Sequence, residues 1–160
     1  MSGRRSVAAL AVAFLAACTP RPVVVERTAT PAVIVVPTEL ANGRIEIVLR
    51  PTYLLSTPTR VDIAIVARRG SIIGPMEARV MASGINEGGS PAEVLVRRLA
   101  GNAVTASAGQ RATTFVTWDG TDQFRMRVPA DAYVLLLEFE SNDGGSTRTV
   151  RATATLQMND

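Results

Sequence analysis

From residue 44 onward the chain alternates apolar and polar side chains in short runs separated by turn-forming residues. Ile45, Ile47 and Leu49 alternate with Arg44, Glu46 and Val48, and Val61, Ile63 and Ile65 with Arg60, Asp62 and Ala64. Further strands are expected over 76–82 and 93–99, and Thr114, Val116 and Trp118 share one face of another. Tyr133, Leu135, Leu137 and Phe139 line one face of a long strand whose other face turns acidic at Glu138 and Glu140. In the last run Val150, Ala152, Ala154 and Leu156 alternate with Thr149, Arg151, Thr153 and Thr155. Successive strand side chains point to opposite sheet faces, so each run offers one face to a core and one to water. Asp143-Gly144-Gly145 predicts a tight hairpin with φ > 0 at both turn positions. The Gly- and Pro-rich stretches 84–91 and 101–110 predict loops. With no helix-length amphipathic run and no internal repeat, the pattern predicts an all-β domain: an antiparallel β-sandwich of about 7–8 strands.

Residues 1–17 follow a different pattern. Arg4 and Arg5 precede an uncharged apolar run from Val7 to Ala17. A basic start, a short apolar run and small residues at its exit are the marks of a secretory signal peptide. The run is too short for a membrane span, which takes about 20 apolar residues. It ends Leu15-Ala16-Ala17-Cys18, which resembles a bacterial lipobox. The resemblance implies cleavage before Cys18, a covalent lipid on its thiol, and a protein held outside the cytoplasm. The lipid would sit in the outer leaflet of the cytoplasmic membrane, or in the outer membrane of a cell with two. Arg4-Arg5 also resembles a twin-arginine signal, so two export routes remain open. Residues 18–38 hold Pro20, Pro22, Pro31 and Pro37 among threonines and valines, a composition that favours an extended tether. Within it, residues 32–36 read either as tether or as a first edge strand. Residues 39–160 make one domain of ordinary size.

Composition narrows the chemistry. All 17 basic residues are arginine; there is no histidine and no lysine, and Cys18 is the single cysteine. Histidine catalysis, histidine metal ligands and lysine Schiff bases are thereby excluded. No disulfide framework is available either. Loss of Arg4 and Arg5 with the leader lowers the net charge from +3 by two. The arginines occur singly or in pairs, without the concentrated patch that nucleic acid requires, so no nucleic-acid partner is expected.

One constellation stands out. Val94 to Leu99 ends in Arg97-Arg98-Leu99, then comes Gly109, then Trp118-Asp119-Gly120-Thr121-Asp122, then Val128-Pro129-Ala130-Asp131-Ala132-Tyr133. Together these resemble the Ig-like domain of the flagellar hook-assembly (FlgD) type, over about residues 92–140. The resemblance implies an Ig-like or fibronectin-III-like sandwich. It implies nothing about hook capping, because that protein's N-terminal region has no counterpart here. The family has glycine soon after the second aspartate, where this chain has Gln123-Phe124-Arg125, and glycine where Asp131 stands. Aspartate tolerates the left-handed region better than most residues, which keeps the second turn possible. Independently of any family, Trp118 at a strand end suits a junction between sheets, where a buried aromatic removes on the order of 150–250 Å² from water. Asp119-Gly120 is a turn pair whose carboxylate can accept from backbone N–H two residues on. Pro129 fixes φ ahead of a strand, and Tyr133 needs a hydroxyl partner near the rim.

Asp119 and Asp122 are too few for a calcium site, which wants six to eight oxygens, and are expected to hold turns. Glu138 and Glu140 are expected to pair with Arg148 or Arg151 across a hairpin. Met76, Met81, Met126 and Met158 share no spacing that suggests a soft-metal site. Serines and threonines have no histidine or lysine to activate them, so no enzyme activity, metal or cofactor is expected beyond the lipid. The expected function is a non-catalytic binding or structural module. Its expected partners are the membrane, through the lipid, and an envelope protein or polysaccharide. A proteinase-inhibitor-like β-sandwich is the alternative.

Overall fold

The computed structural model describes residues 32–85 and 87–160. Leu15, Ala16, Ala17 and Cys18, with most of the expected tether, lie outside them. The domain is all-β, and its ten strands form two packed sheets. The first sheet runs, in spatial order, β1 (Ile34–Leu40), β2 (Gly43–Leu49), β4 (Thr59–Ala67) and β8 (Arg111–Trp118). The second runs β3 (Tyr53–Leu54), β10 (Thr147–Asn159), β9 (Ala132–Asn142), β5 (Ser71–Ile85) and β6 (Pro91–Leu99). A short β7 (Val104–Ser107) pairs with the first part of β5. Neighbours are antiparallel except β3, which pairs parallel to β10.

The alternation places the core as expected. Ile45, Ile47, Val61, Ile63, Ile65, Leu135, Leu137, Phe139 and Leu156 are all buried between the sheets. Each such side chain contributes about 1.5–3 kcal/mol relative to exposure. On the outward face of the second sheet, Arg151 stands directly opposite Glu138, with Nε 2.9 Å from Oε1. Arg79 lies 3.6 Å from Glu138 and also pairs with Glu77, and Arg98 reaches Glu77 at 3.5 Å. The result is a charged row across four strands. Arg148 instead turns back to Asp143 of its own hairpin at 3.0 Å.

Several expectations are corrected. The sandwich begins at Ile34 rather than at residue 39, because residues 34–38 join β1 as an edge strand on β2. The 101–110 stretch contains β7, and the 84–91 stretch is shortened as a loop because β5 runs on to Ile85 and β6 starts at Pro91. The Asp143 hairpin has four loop residues, 143–146, rather than a two-residue turn. Only Gly144 there has positive φ, while Asp143 Oδ1 accepts from the Gly145 and Ser146 N–H groups.

Strand register assigns the loops to two ends. Ile34 faces Leu49, and Thr59 faces Trp118, so β1 begins where β8 finishes. Trp118 touches Tyr133 at the start of β9, which faces Ala82 of β5 and Leu156 of β10. Segments 50–58, 87–90 and 119–131 therefore share one end with the start of β1. The opposite end carries the turns at 41–42, 68–70, 108–110 and 143–146. There the buried Asn42 donates through Nδ2 to the carbonyls of Asn142 (3.0 Å) and Ser71 (3.3 Å), and accepts from Ser141 Oγ at 2.9 Å. A buried amide needs such partners, and these join the two sheets.

Candidate functional site

The residues singled out by sequence come together at the end where β1 begins. Trp118 closes β8 and is almost fully buried, its ring 5.1 Å from that of Tyr133 at 70°. This is the edge-to-face arrangement that aromatic quadrupoles favour. Its Nε1 donates to the Thr121 carbonyl at 2.8 Å, so the ring is fixed by the turn that follows it. Tyr133 donates its hydroxyl to the Pro129 carbonyl four residues upstream, at 2.8 Å. A tyrosine near the start of a strand, bonded back to the preceding turn, is the corner device of Greek-key sandwiches. Burial pushes the Tyr133 hydroxyl pKa up, and the charge of Asp131 adds to this.

The two aspartates hold the intervening loop. Asp119 Oδ1 accepts from the Thr121 N–H at 3.1 Å and hydroxyl at 2.7 Å. Burial alone would raise the Asp119 pKa, but the Thr121 hydrogen bonds and the nearby Arg97 charge outweigh it and hold the carboxyl below its usual range. Asp122 Oδ1 accepts from the Phe124 and Met126 N–H groups, both at 2.8 Å. One oxygen of each carboxylate is thus committed to the loop itself, which is the turn role. No group of three or more acidic or cysteine side chains suited to a metal occurs among the described residues. Gly120 has φ +72°, as the Asp-Gly turn requires. The second left-handed residue is Arg125 at φ 64°, not Asp131, whose Oδ1 instead accepts from the Ala132 N–H.

Arg97 is the residue whose part was not foreseen, although it is the first arginine of Arg97-Arg98-Leu99. Its guanidinium reaches from β6 to the Thr121 hydroxyl, donates to the Asp122 carbonyl at 2.9 Å, and lies 3.4 Å from Asp119 Oδ1. It clamps the loop to the edge of the second sheet, as does the Gln123 N–H donating to the Val96 carbonyl at 2.8 Å. Arg127 ties the loop's other side to the Leu55 carbonyl at 2.9 Å.

What this scaffold presents is a groove of about 430 Å³ beside edge strand β6, lined by Ala82, Val94, Val96, Phe124, Val128 and Tyr133. Phe124 is 76% exposed. A mainly apolar concavity beside edge strand β6, whose Val96 carbonyl is already taken by the Gln123 N–H, suits the capture of an apolar ligand. The outward face of the first sheet holds a second hollow of about 500 Å³, lined by Arg60, Asp62, Arg111 and Phe115, with the Arg60 guanidinium over the Phe115 ring at 3.9 Å. The methionines do not converge: Met158 is in the core, whereas Met76 and Met126 are exposed. No protein family and no curated protein is matched by this chain, so a functional reading rests on the residues themselves.

Proposed function

We propose that this chain is an extracytoplasmic lipoprotein in which a β-sandwich serves as a non-catalytic binding or structural module, held at a membrane by lipid on Cys18. The observation that carries this reading is Leu15-Ala16-Ala17-Cys18 directly behind the uncharged run 7–17, with Cys18 the single cysteine of the chain. A thiol must accept the diacylglyceryl group, and small residues before it give a peptidase access. Two or more acyl chains hold stably where one does not. An envelope protein or polysaccharide is the proposed partner of the sandwich, whose end loop is held in shape by Arg97, Asp119 and Asp122. The resemblance of residues 92–140 to the hook-assembly Ig-like module bears on the fold alone.

The test is metabolic labelling with palmitate and the mass of the native N-terminus. The wild-type chain is expected to begin at Cys18, carry acyl groups and partition with membranes. Cys18→Ser is expected to take up no label and, once the leader is cut, to leave the membrane fraction. A native chain that still begins at Met1 without fatty acid, or label retained in Cys18→Ser, overturns the reading.

A further inference from the structure

The two ends of the sandwich differ chemically. Of the nine large apolar side chains exposed among the described residues, all but Met76 belong to the end where β1 begins: residues 33–35, Leu54, Ile85, Val94, Phe124 and Met126. Phe124 is 76% exposed, Ile85 75% and Met126 66%. The opposite end exposes small and polar turn residues such as Arg69, Gly109, Gly144 and Gly145. Single exposed apolar residues are ordinary, but their concentration on one end marks a contact surface.

We propose that this end is a membrane-contacting surface, which seats Phe124, Met126, Ile85 and Leu54 in the interfacial layer of a phospholipid bilayer. The proposal rests on the lipid anchor at Cys18 and adds an orientation to it. Three observations favour a bilayer over a protein partner. The apolar side chains come from four separate segments around the end (the start of β1, β3, the β5–β6 hairpin and the 122–127 loop), which suits a plane better than a cleft. β1 begins at this same end, and the sixteen residue-to-residue steps from Cys18 to Ile34 reach at most about 55 Å when fully extended. An anchor that close keeps the local concentration of bilayer high, so weak contacts suffice. Finally, the end mixes Arg50, Arg125 and Arg127 with Glu87, Glu93, Asp131 and Asp160. That mixture gives no strong single-sign field, so contact is carried by apolar insertion and does not depend on anionic lipid.

Arg125, exposed between Phe124 and Met126, supplies the readout. The lipidated protein is reconstituted into vesicles of phosphatidylethanolamine and phosphatidylglycerol, and trypsin cleavage after Arg125 is timed. The comparison is residues 18–160 carrying Cys18→Ser, free in solution. Cleavage is expected to slow about tenfold on vesicles, and the protection to disappear in Phe124→Ser/Met126→Ser. It should persist from about 50 mM to about 500 mM salt, and on phosphatidylcholine vesicles, because screening does not weaken apolar insertion. Equal cleavage rates on vesicles and in solution, protection unchanged in the double variant, or protection abolished by salt would each overturn the proposal. Both substituted side chains are exposed, so an unchanged denaturation midpoint checks that the variant is folded. A lipidated, vesicle-bound protein with freely cut Arg125 sinks the orientation alone, whereas absence of acyl groups on the native chain sinks the anchor.

Discussion

Replacing Tyr133 by phenylalanine removes one hydroxyl and leaves the ring in place beside Trp118. In the native sandwich that hydroxyl donates to the Pro129 carbonyl at 2.8 Å, and Tyr133 is only 3% exposed. A neutral intramolecular hydrogen bond contributes about 0.5–1.5 kcal/mol net, and an orphaned buried acceptor adds a further penalty. Pro129 is exposed, so its carbonyl regains water when the hydroxyl is lost and that penalty does not arise. The expected cost is therefore about 1 kcal/mol, a fall in melting temperature of roughly 2–6 °C for a domain of this size. Tyr133→Leu also removes the edge-to-face contact with Trp118, worth about 0.5–1.5 kcal/mol, and leaves a void in the core. The expected cost there is about 3 kcal/mol. Urea denaturation of both variants, with unchanged slopes, measures the difference. If Tyr133→Phe costs as much as Tyr133→Leu, or nothing measurable, the division between hydroxyl and ring is wrong.

Two further outcomes follow from other parts of the molecule. A Cβ added at Gly74 would lie 2.5 Å from Cδ1 of Phe139, whose ring is fully buried, so Gly74→Ala should cost about 1–3 kcal/mol by overpacking, on top of the backbone strain that its φ of +152° imposes on any side chain. At Gly109 nothing lies within 4 Å and only its φ of +77° resists, so Gly109→Ala should cost about 1–2 kcal/mol and, unlike Gly74→Ala, should leave the environment of Phe139 unchanged by NMR. Asp119, Asp143 and Glu77 all have carboxyls held below their ordinary range: Asp119 against its burial by Thr121 and Arg97, Asp143 by the Gly145 and Ser146 N–H groups and Arg148, and Glu77 by Arg79. The unfolded chain then binds more protons than the folded one as pH falls below about 4, so stability should be level near neutrality and decline through the folded pKa values. Asp119→Asn/Asp143→Asn should flatten that acid limb in pH-dependent melting, and an unaltered limb would contradict the assignment.

Strands β2, β4, β9 and β10 are legible because an apolar side chain recurs at nearly every second residue of their buried faces. The missed elements lack that signal for physical reasons. β7 is four residues, Val104–Ser107, with a single large apolar side chain, and is defined by pairing with β5 rather than by a face of its own. β3 is two residues held by a parallel pairing from the far end of the chain. The first part of β5 contains Gly74-Pro75, which locally signals a break, yet the strand continues through an irregularity between Ile73 and Glu77 in its pairing with β9. At the site, the turn roles of Asp119, Gly120 and Asp122 follow from local spacing. Arg97 does not, since its partners are 24 and 25 positions away and a bulge in the β5–β6 ladder at Val80/Met81 separates it from the regular strand pattern. Val94 and Phe124 look like ordinary strand and loop residues in sequence. Only the register that sets β6 beside the 119–131 segment makes them walls of one groove.

If the chain is tethered through Cys18, any pull from the membrane reaches the sandwich first at β1, an edge strand with a partner on one side only. Its seven register pairs run from Ile34 with Leu49, at the strand end nearer Cys18 in sequence, to Leu40 with Gly43. A load applied lengthwise, against a domain gripped at its far turns, strains all the rungs of that ladder together and meets high resistance. A sideways load opens them singly, beginning at Ile34. The mechanical strength of the attachment would thus depend on the direction of pulling.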